Sequence, residues 1–386
     1  MSAQSPRKPS SFSRQMPEYR VLLAVNFPLP DGDYRVLYAR GSHAAVVLLA
    51  SPARPSALAR DRHRVLRLGE GLRPSQCIGL YQLYRLLRAE RRELSGVHFF
   101  SSLLYLAGPF AARASGVPYV LTVTGFGRVI SERRLALFRP LYWLLLRHAI
   151  GHSRAVVIQN RADLGLIEKR FPRSRKKLHY VPSAVEFPTH ERSFDTPVLR
   201  VLLVARVGLA KGVGDFCDVA EALAGDRFQF TLVGPPSPRS RELLSRVEGL
   251  QAKGTIDYRG PLHDESLHAA FAEHHIFFLP SRAEGLPRVL LEAGFSGMYP
   301  VAYDIPANRD VVASHTVRLV PVGDTHAVGS LLRQLGANRL ELARGADRFH
   351  DDVTSRYTAE AYIHRMDELI EGLLPRVRID GSPAPQ

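Results

Sequence analysis

HIFFLPSRAEGLPRVLLEAGFSG, residues 275–297, holds three pieces of local chemistry in one run. Ile276 to Leu279 is an apolar stretch too short for a helix, and its Phe and Ile content predicts a buried parallel strand. Pro280 and Ser281 stop that strand, Gly285 frees the backbone to turn, and Pro287 stands at the first helical position, where a missing N–H costs nothing. A helix then runs through Val289, Leu290 and Glu292 to about Gly297. Strand, glycine-bearing loop and helix aim unpaired amides and the positive helix end at one point, which is a seat for an anion.

Two carboxylates flank the seat, Glu284 in the loop and Glu292 in the second helical turn, with seven residues between them. An ionised glutamate only accepts hydrogen bonds, and sugar hydroxyls are natural donors, so the pair beside a phosphate seat suits a sugar nucleotide. Taken alone, Glu292 reads equally well as part of a solvated helix face. The surroundings decide between the two. Glu284-Gly285-Leu286-Pro287 followed by Glu292-Ala293, with Leu279-Pro280-Ser281 ahead of them, resembles the Glu-x7-Glu signature of glycosyltransferase family four, whose members are retaining enzymes of the GT-B fold. The resemblance implies an α/β chain of two facing, doubly wound Rossmann-like domains with ligands in the cleft at the strand carboxyl ends.

Size and composition agree with two domains. A chain of 386 residues exceeds one ordinary core, and an apolar content of 45% is ample for two. The only cysteines, Cys77 and Cys217, are far apart and suggest neither a disulfide framework nor a zinc knuckle, which points to a reducing, cytoplasmic setting. Residues 1–17 are polar and read as a disordered tail, not a secretion signal, and no apolar run reaches the ~18 residues needed to cross a bilayer. Net charge is +15, unevenly spread: residues 1–190 hold 30 Lys and Arg against 11 Asp and Glu, residues 191–386 hold 22 against 26. The whole excess lies in the first half, which predicts an anionic partner for it, nucleic acid or an acidic lipid surface, unless the bias is merely a general richness in arginine.

The first domain is expected over 18–190 as alternating strands and helices, the pattern of a parallel sheet covered on both faces. Strands are read at Glu18 to Asn26, Ala44 to Ala50, Val65 to Leu68, Val97 to Ser102, Tyr119 to the loop at Gly127, Ala155 to Asn160 and Lys177 to Pro182, with helices over Arg73 to Leu94, Leu103 to Ala114 and Arg161 to Phe171. His98 reads as a packed core histidine. The family resemblance places Gly32 in a loop where bare backbone approaches the ligands, and Thr124 and Gly125 at the interdomain cleft. Many members have His where this chain has Thr124; the Thr-Gly-Phe-Gly form is similar to a subgroup that elongates lipid-linked glycans. Arg133 to Arg154 mixes Phe138, Leu141, Trp143 and Leu144 with arginines, a pattern that suits either ordinary core or a helix lying at a membrane interface.

Ser183 to Pro197 is the expected linker. The second domain is expected over 191–357 with strands at Val198 to Ala205, Phe228 to Gly234, Thr255 to Gly260 and Tyr299 to Tyr303 and a helix over Asp215 to Leu223, a closing helix over 358–374 that crosses back to the first domain, and a frayed end at 375–386. In the loop after its first strand, Arg206 and Lys211 resemble the family's pair that neutralises the nucleotide diphosphate; the glycine spacing fits neither a Walker loop nor a dinucleotide fingerprint. Tyr258-Arg259-Gly260 resembles the place where backbone groups read a uracil edge. His263, His268, His274 and His275 lack compact metal spacing, and the resemblance implies a metal-independent enzyme with no cofactor beyond the donor.

The function so implied is retaining transfer of a hexose or N-acetylhexosamine from a UDP-sugar to a lipid-linked glycan in surface polysaccharide assembly, on the inner face of the cell membrane. Arg206, Lys211 and the NH groups of the turn from Gly285 to Val289, which runs through Leu286 and Pro287, would stabilise the departing diphosphate, Glu284 would hold the sugar, and Glu292 the ribose diol. The rivals are a UDP-sugar epimerase or hydrolase of the same fold, a catalytically silent partner subunit, and a non-catalytic basic-surface binder; no nucleic-acid reading module is visible.

Overall fold

The computed structural model describes residues 19–24, 33–42, 45–50, 65–66, 75–100, 102–126, 137–237, 240–312 and 317–377. Gly32, the tail at 1–17 and the end from 378 lie outside them.

The first half lays down β1 (Tyr19–Ala24), α1 (Tyr34–Gly41), β2 (Ala45–Ala50), β3 (Val65–Leu66), α2 (Ser75–Glu90), β4 (Gly96–Phe99), α3 (Ser102–Ser115), β5 (Tyr119–Val123), α4 (Arg139–His152), β6 (Ala155–Ile158), α5 (Arg161–Arg170) and β7 (Leu178–Tyr180). The strands pair in parallel in the order β3-β2-β1-β4-β5-β6-β7. Period two makes this sheet buried twice: Leu22 and Ala24 enter one core with Val97 and Leu121, while Tyr19, Val21 and Leu23 enter the other with Val120 and Val157.

The second half continues with β8 (Leu199–Val204), α6 (Val213–Ala222), β9 (Phe228–Val233), α7 (Arg241–Ala252), β10 (Ile256–Tyr258), α8 (Asp264–Glu273), β11 (Ile276–Leu279), α9 (Arg288–Phe295), β12 (Tyr299–Ala302), α10 (Pro306–Val311), α11 (Thr325–Ala337), α12 (Arg339–Arg356) and α13 (Ala359–Leu373). Its sheet is parallel in the order β10-β9-β8-β11-β12. Strand order reverses between β1 and β4 in one sheet and between β8 and β11 in the other, and open α/β sheets hold ligands at such switch points.

Helix α13 belongs to the first core. Tyr362, Met366 and Ile370 pack with Tyr34, Tyr38 and Val21, and the rings of Tyr34 and Tyr362 meet edge-on at 5.3 Å. The linker is not slack. Ala184, Val185 and Phe194 are buried, and Arg192 donates to the carbonyls of Phe271, Ala272, Ser296 and Gly297 at 2.9–3.2 Å. The Val185 amide donates to Tyr357 O at 2.9 Å, so the two passages of the chain between the lobes are tied together.

Two expectations are corrected. Pro287 is the N-cap of α9, one position ahead of the first helical residue, Arg288. Gly285 does not take the left-handed backbone of a turn glycine; it is required because a Cβ there would lie 2.3 Å from Thr124 O of the first domain. Helices α1, α7, α8, α10, α11 and α12 have no counterpart in the sequence reading.

Candidate active site

The loops leaving β8 and β11 face each other at the second switch point and are laced together. The Arg282 amide donates to Ala210 O at 3.1 Å, and the Arg282 guanidinium grips Asp215 at 2.8 and 2.9 Å while Tyr303 Oη donates to the same carboxylate at 2.7 Å. Gly212 sits at φ +69°, and a Cβ there would fall 2.0 Å from Pro280 O, so only glycine lets the loops close to this distance. The lacing brings Lys211 Nζ to 2.6 Å from Glu284 Oε1. Arg206, from the same loop as Lys211, is exposed and has no ion pair among the described residues.

Of the amides expected to form the anion seat, those of Gly285, Leu286 and Val289 donate to no other described residue. Pro287 has none, and the Arg288 amide turns back to Leu286 O at 2.9 Å. Helix α9 starts here because Leu290, Leu291, Ala293 and Phe295 bury one face against the second core; each large apolar side chain contributes about 1.5–3 kcal/mol. Glu292 lies one turn in. Burial pushes its carboxyl above the usual glutamate range, and the Arg288 charge only partly offsets this.

The first domain closes over the seat. Thr124 and Gly125 follow β5, Gly125 has φ +140°, and a Cβ on it would stand 3.0 Å from Gly285 Cα. Four residues the sequence reading passed over also meet here. Asp33 caps α1 and binds Arg35 through both carboxylate oxygens at 2.6 and 2.7 Å, and Arg288 reaches across from α9 to the same carboxylate at 3.2 Å. Burial alone would raise the Asp33 pKa, but the Arg35 hydrogen bonds and the Arg35 and Arg288 charges outweigh it and hold the carboxyl below its usual range. Asp163, in the first turn of α5, stands with Oδ2 3.6 Å from the Gly125 Cβ position. It accepts from the Phe126 amide and from Asn160 Nδ2 at 2.5 Å, and burial raises its pKa despite both bonds.

Arg259 stands apart from this cluster. Its side chain pairs with Asp257 and Glu273 at 2.7 and 2.9 Å, its amide donates to Leu232 O, and Gly260 O takes the Gly234 amide at 2.7 Å. Two backbone groups expected to read a base are therefore already paired. The four histidines serve separate ends: His263 caps α8, His268 meets the Phe187 ring at 4.8 Å, buried His274 bonds Thr231 at 2.7 Å, and His275 accepts from the Arg200 amide. Among the described residues no His, Cys, Asp and Glu group forms a metal site. His98 is fully buried, its ring tilted against that of Phe100 at 3.9 Å and bonded to Thr122 at 2.7 Å; burial brings its pKa down to about 3.

Residues 35–187 match the model of Glycosyltransferase Family 4, and residues 199–338 that of Glycosyl transferases group 1. The chain is a glycosyltransferase. It is 28% identical over 71% of its length to 2-deoxystreptamine N-acetyl-D-glucosaminyltransferase of Streptomyces fradiae, covering 70% of that protein. It is 24% identical over 60% of its length to the Escherichia coli UDP-Gal:alpha-D-GlcNAc-diphosphoundecaprenol alpha-1,3-galactosyltransferase, covering 63% of it. Among solved structures, sucrose-phosphate synthase from Thermosynechococcus elongatus superposes with a TM-score of 0.73 at 17% identity, over 92% of this chain and 99% of that one. HepE of Anabaena in complex with UDP-glucose does so at 0.73 and 15%, over 92% and 100%. These neighbours establish the GT-B fold for this glycosyltransferase, and the Lys211–Glu284 cluster lies at the switch point its second domain turns toward the first.

Proposed function

We propose that this glycosyltransferase moves a hexose or N-acetylhexosamine from a UDP-sugar, with retention and without a metal, to a lipid-linked glycan acceptor in surface polysaccharide assembly. The observation that carries the reading is Lys211 held 2.6 Å from Glu284 beside three free amides at the start of α9. A diphosphate entering the seat draws Lys211 away from Glu284. The freed carboxylate then accepts from donor sugar hydroxyls, and Glu292 accepts from the ribose diol. As UDP departs, charge gathers on the β-phosphate, where Lys211, Arg206 and the amides of Gly285, Leu286 and Val289 stabilise it. The leaving phosphate takes the acceptor proton on the same face of the sugar.

The structural neighbour solved with UDP-glucose and the E. coli relative named for UDP-Gal and a diphosphoundecaprenol acceptor support a UDP donor. An aminocyclitol acceptor, as in the Streptomyces relative's name, is a cation, and a first half with 30 basic against 11 acidic residues disfavours it over a lipid diphosphate. No helix among the described residues is long and apolar enough to cross a membrane. Helix α4 instead exposes Leu141 and Leu144, with Leu137 at 90% and Phe138 at 63% exposure just ahead of it, an apolar strip on the basic lobe that suits peripheral attachment at the cytoplasmic face.

The test is a panel of nucleotide sugars scored for UDP release and product with and without membrane lipid extract. Release from a UDP-sugar that needs the extract supports the proposal. Preference for a GDP-sugar overturns the donor, and an epimer or free sugar formed without acceptor overturns the transfer.

A further inference from the structure

The far end of the first sheet, away from the cleft, carries a cavity of about 380 Å³ lined by Arg113, Arg154, Lys177 and His152, with no Asp or Glu among its lining residues. It sits where β5 and β6 begin and α3 and α4 end. Lys177 is partly spoken for, since it donates to Gly151 O at 2.7 Å and so caps α4. Arg113 and Arg154 have no ion pair among the described residues. The crowding has a signature: burial and the Arg154 charge lower the Lys177 pKa, and burial, His152 and Arg113 lower that of His148. Cations held together without a counter-charge make a place for an anion.

The cavity is continuous with the apolar face of the lobe. Exposed Phe110 of α3 stacks on His148 at 4.5 Å, and His148 meets His152 at 4.5 Å at the cavity mouth. Phe110 shares this helix with Arg113, one turn on, and exposed Leu141 and Leu144 lie on α4 beside it. An anion seat opening onto exposed aromatic and leucine side chains matches a molecule with a phosphate head and a hydrocarbon tail.

We propose that Arg113, Arg154 and Lys177 form a binding site for the phosphate head group of an anionic phospholipid, with Phe110, Leu141 and Leu144 entering the acyl boundary. The site rests on the peripheral-membrane reading given above and adds to it a defined head-group pocket remote from the catalytic cleft. It fixes which face of the first lobe meets the lipid.

The experiment is co-sedimentation with phosphatidylglycerol and phosphatidylcholine vesicles of the wild type, Arg113→Ala/Arg154→Ala and Leu141→Ser/Leu144→Ser, with calorimetry of inorganic phosphate and of UDP alongside. Loss of two interfacial cations is expected to weaken binding to phosphatidylglycerol about 10- to 30-fold at unchanged UDP affinity, with no measurable binding of inorganic phosphate. If the leucine variant loses vesicle binding while the arginine variant keeps it, the pocket is overturned and the membrane reading stands. If the wild type binds no vesicles, both fall. If inorganic phosphate binds and the arginine variant loses it without losing vesicles, the site belongs to a soluble anion and the lipid assignment is overturned.

Discussion

Lys211 and Glu284 meet at 2.6 Å across the loops of β8 and β11, so the cation proposed for the diphosphate is held by the acid proposed for the sugar. Such a pair must open before either can work. Glu284→Ala is therefore expected to leave UDP affinity equal to or above that of the wild type, while transfer falls about 100- to 1000-fold through loss of a charged acceptor at the reacting sugar. Calorimetry with UDP and single-turnover transfer separate the two. A matched fall in both sinks the assignment.

Glu292→Ala is expected to weaken UDP binding about 10- to 100-fold, as removal of a charged acceptor from two ribose hydroxyls requires. Because burial raises the Glu292 pKa, the wild type is expected to lose UDP affinity on acidification at a pH above that of an ordinary glutamate, and Glu292→Gln to flatten the profile.

Gly285→Ala places a methyl 2.3 Å from Thr124 O in the other lobe. The clash is relieved by parting the lobes, so the variant is expected to keep its melting temperature and UDP binding and to lose transfer about 100-fold, the cost of misplacing reacting groups by an ångström. Small-angle scattering should show a more open particle; an unchanged profile with wild-type turnover contradicts the closure seen here.

Asp33→Ala leaves Arg35 buried without its carboxylate and is expected to cost about 3–5 kcal/mol in urea denaturation. Arg288→Ala keeps the Asp33–Arg35 pair and removes a part-exposed bond between lobes, so its cost is expected to be the smaller of the two, about 1 kcal/mol. Equal losses from the two argue against the division made here.

His98 has its pKa depressed to about 3 by burial, so the unfolded chain binds a proton that the folded one refuses between that value and the ordinary 6.5. Stability is full above about pH 6.5 and falls on acidification, by about 2 kcal/mol at pH 5 from this residue alone. His98→Gln should retain a partner for Thr122 and show a shallower fall in stability between pH 7 and 5.

Much of this was legible in the chain. Ile276–Leu279 gave itself away because a strand buried on both faces must be uniformly apolar, and the interval from Glu284 to Glu292 carried the family. Asp33 and Asp163 were invisible because each looks like a capping acid until the fold brings Arg288 or Gly125 against it. Gly285 was seen for the wrong reason: its neighbour Thr124 is 161 positions away, and no local pattern reports such an approach. Helix α1 was missed because its residues are buried nearly all round, which leaves no amphipathic period to read.

The bond from the Val185 amide to Tyr357 O pins the outgoing and returning passages of the chain side by side. Two passages pinned side by side make a single spine, about which the lobes would open like the covers of a book. On the function proposed above, a sugar held on one page would meet an acceptor on the other as the book shuts.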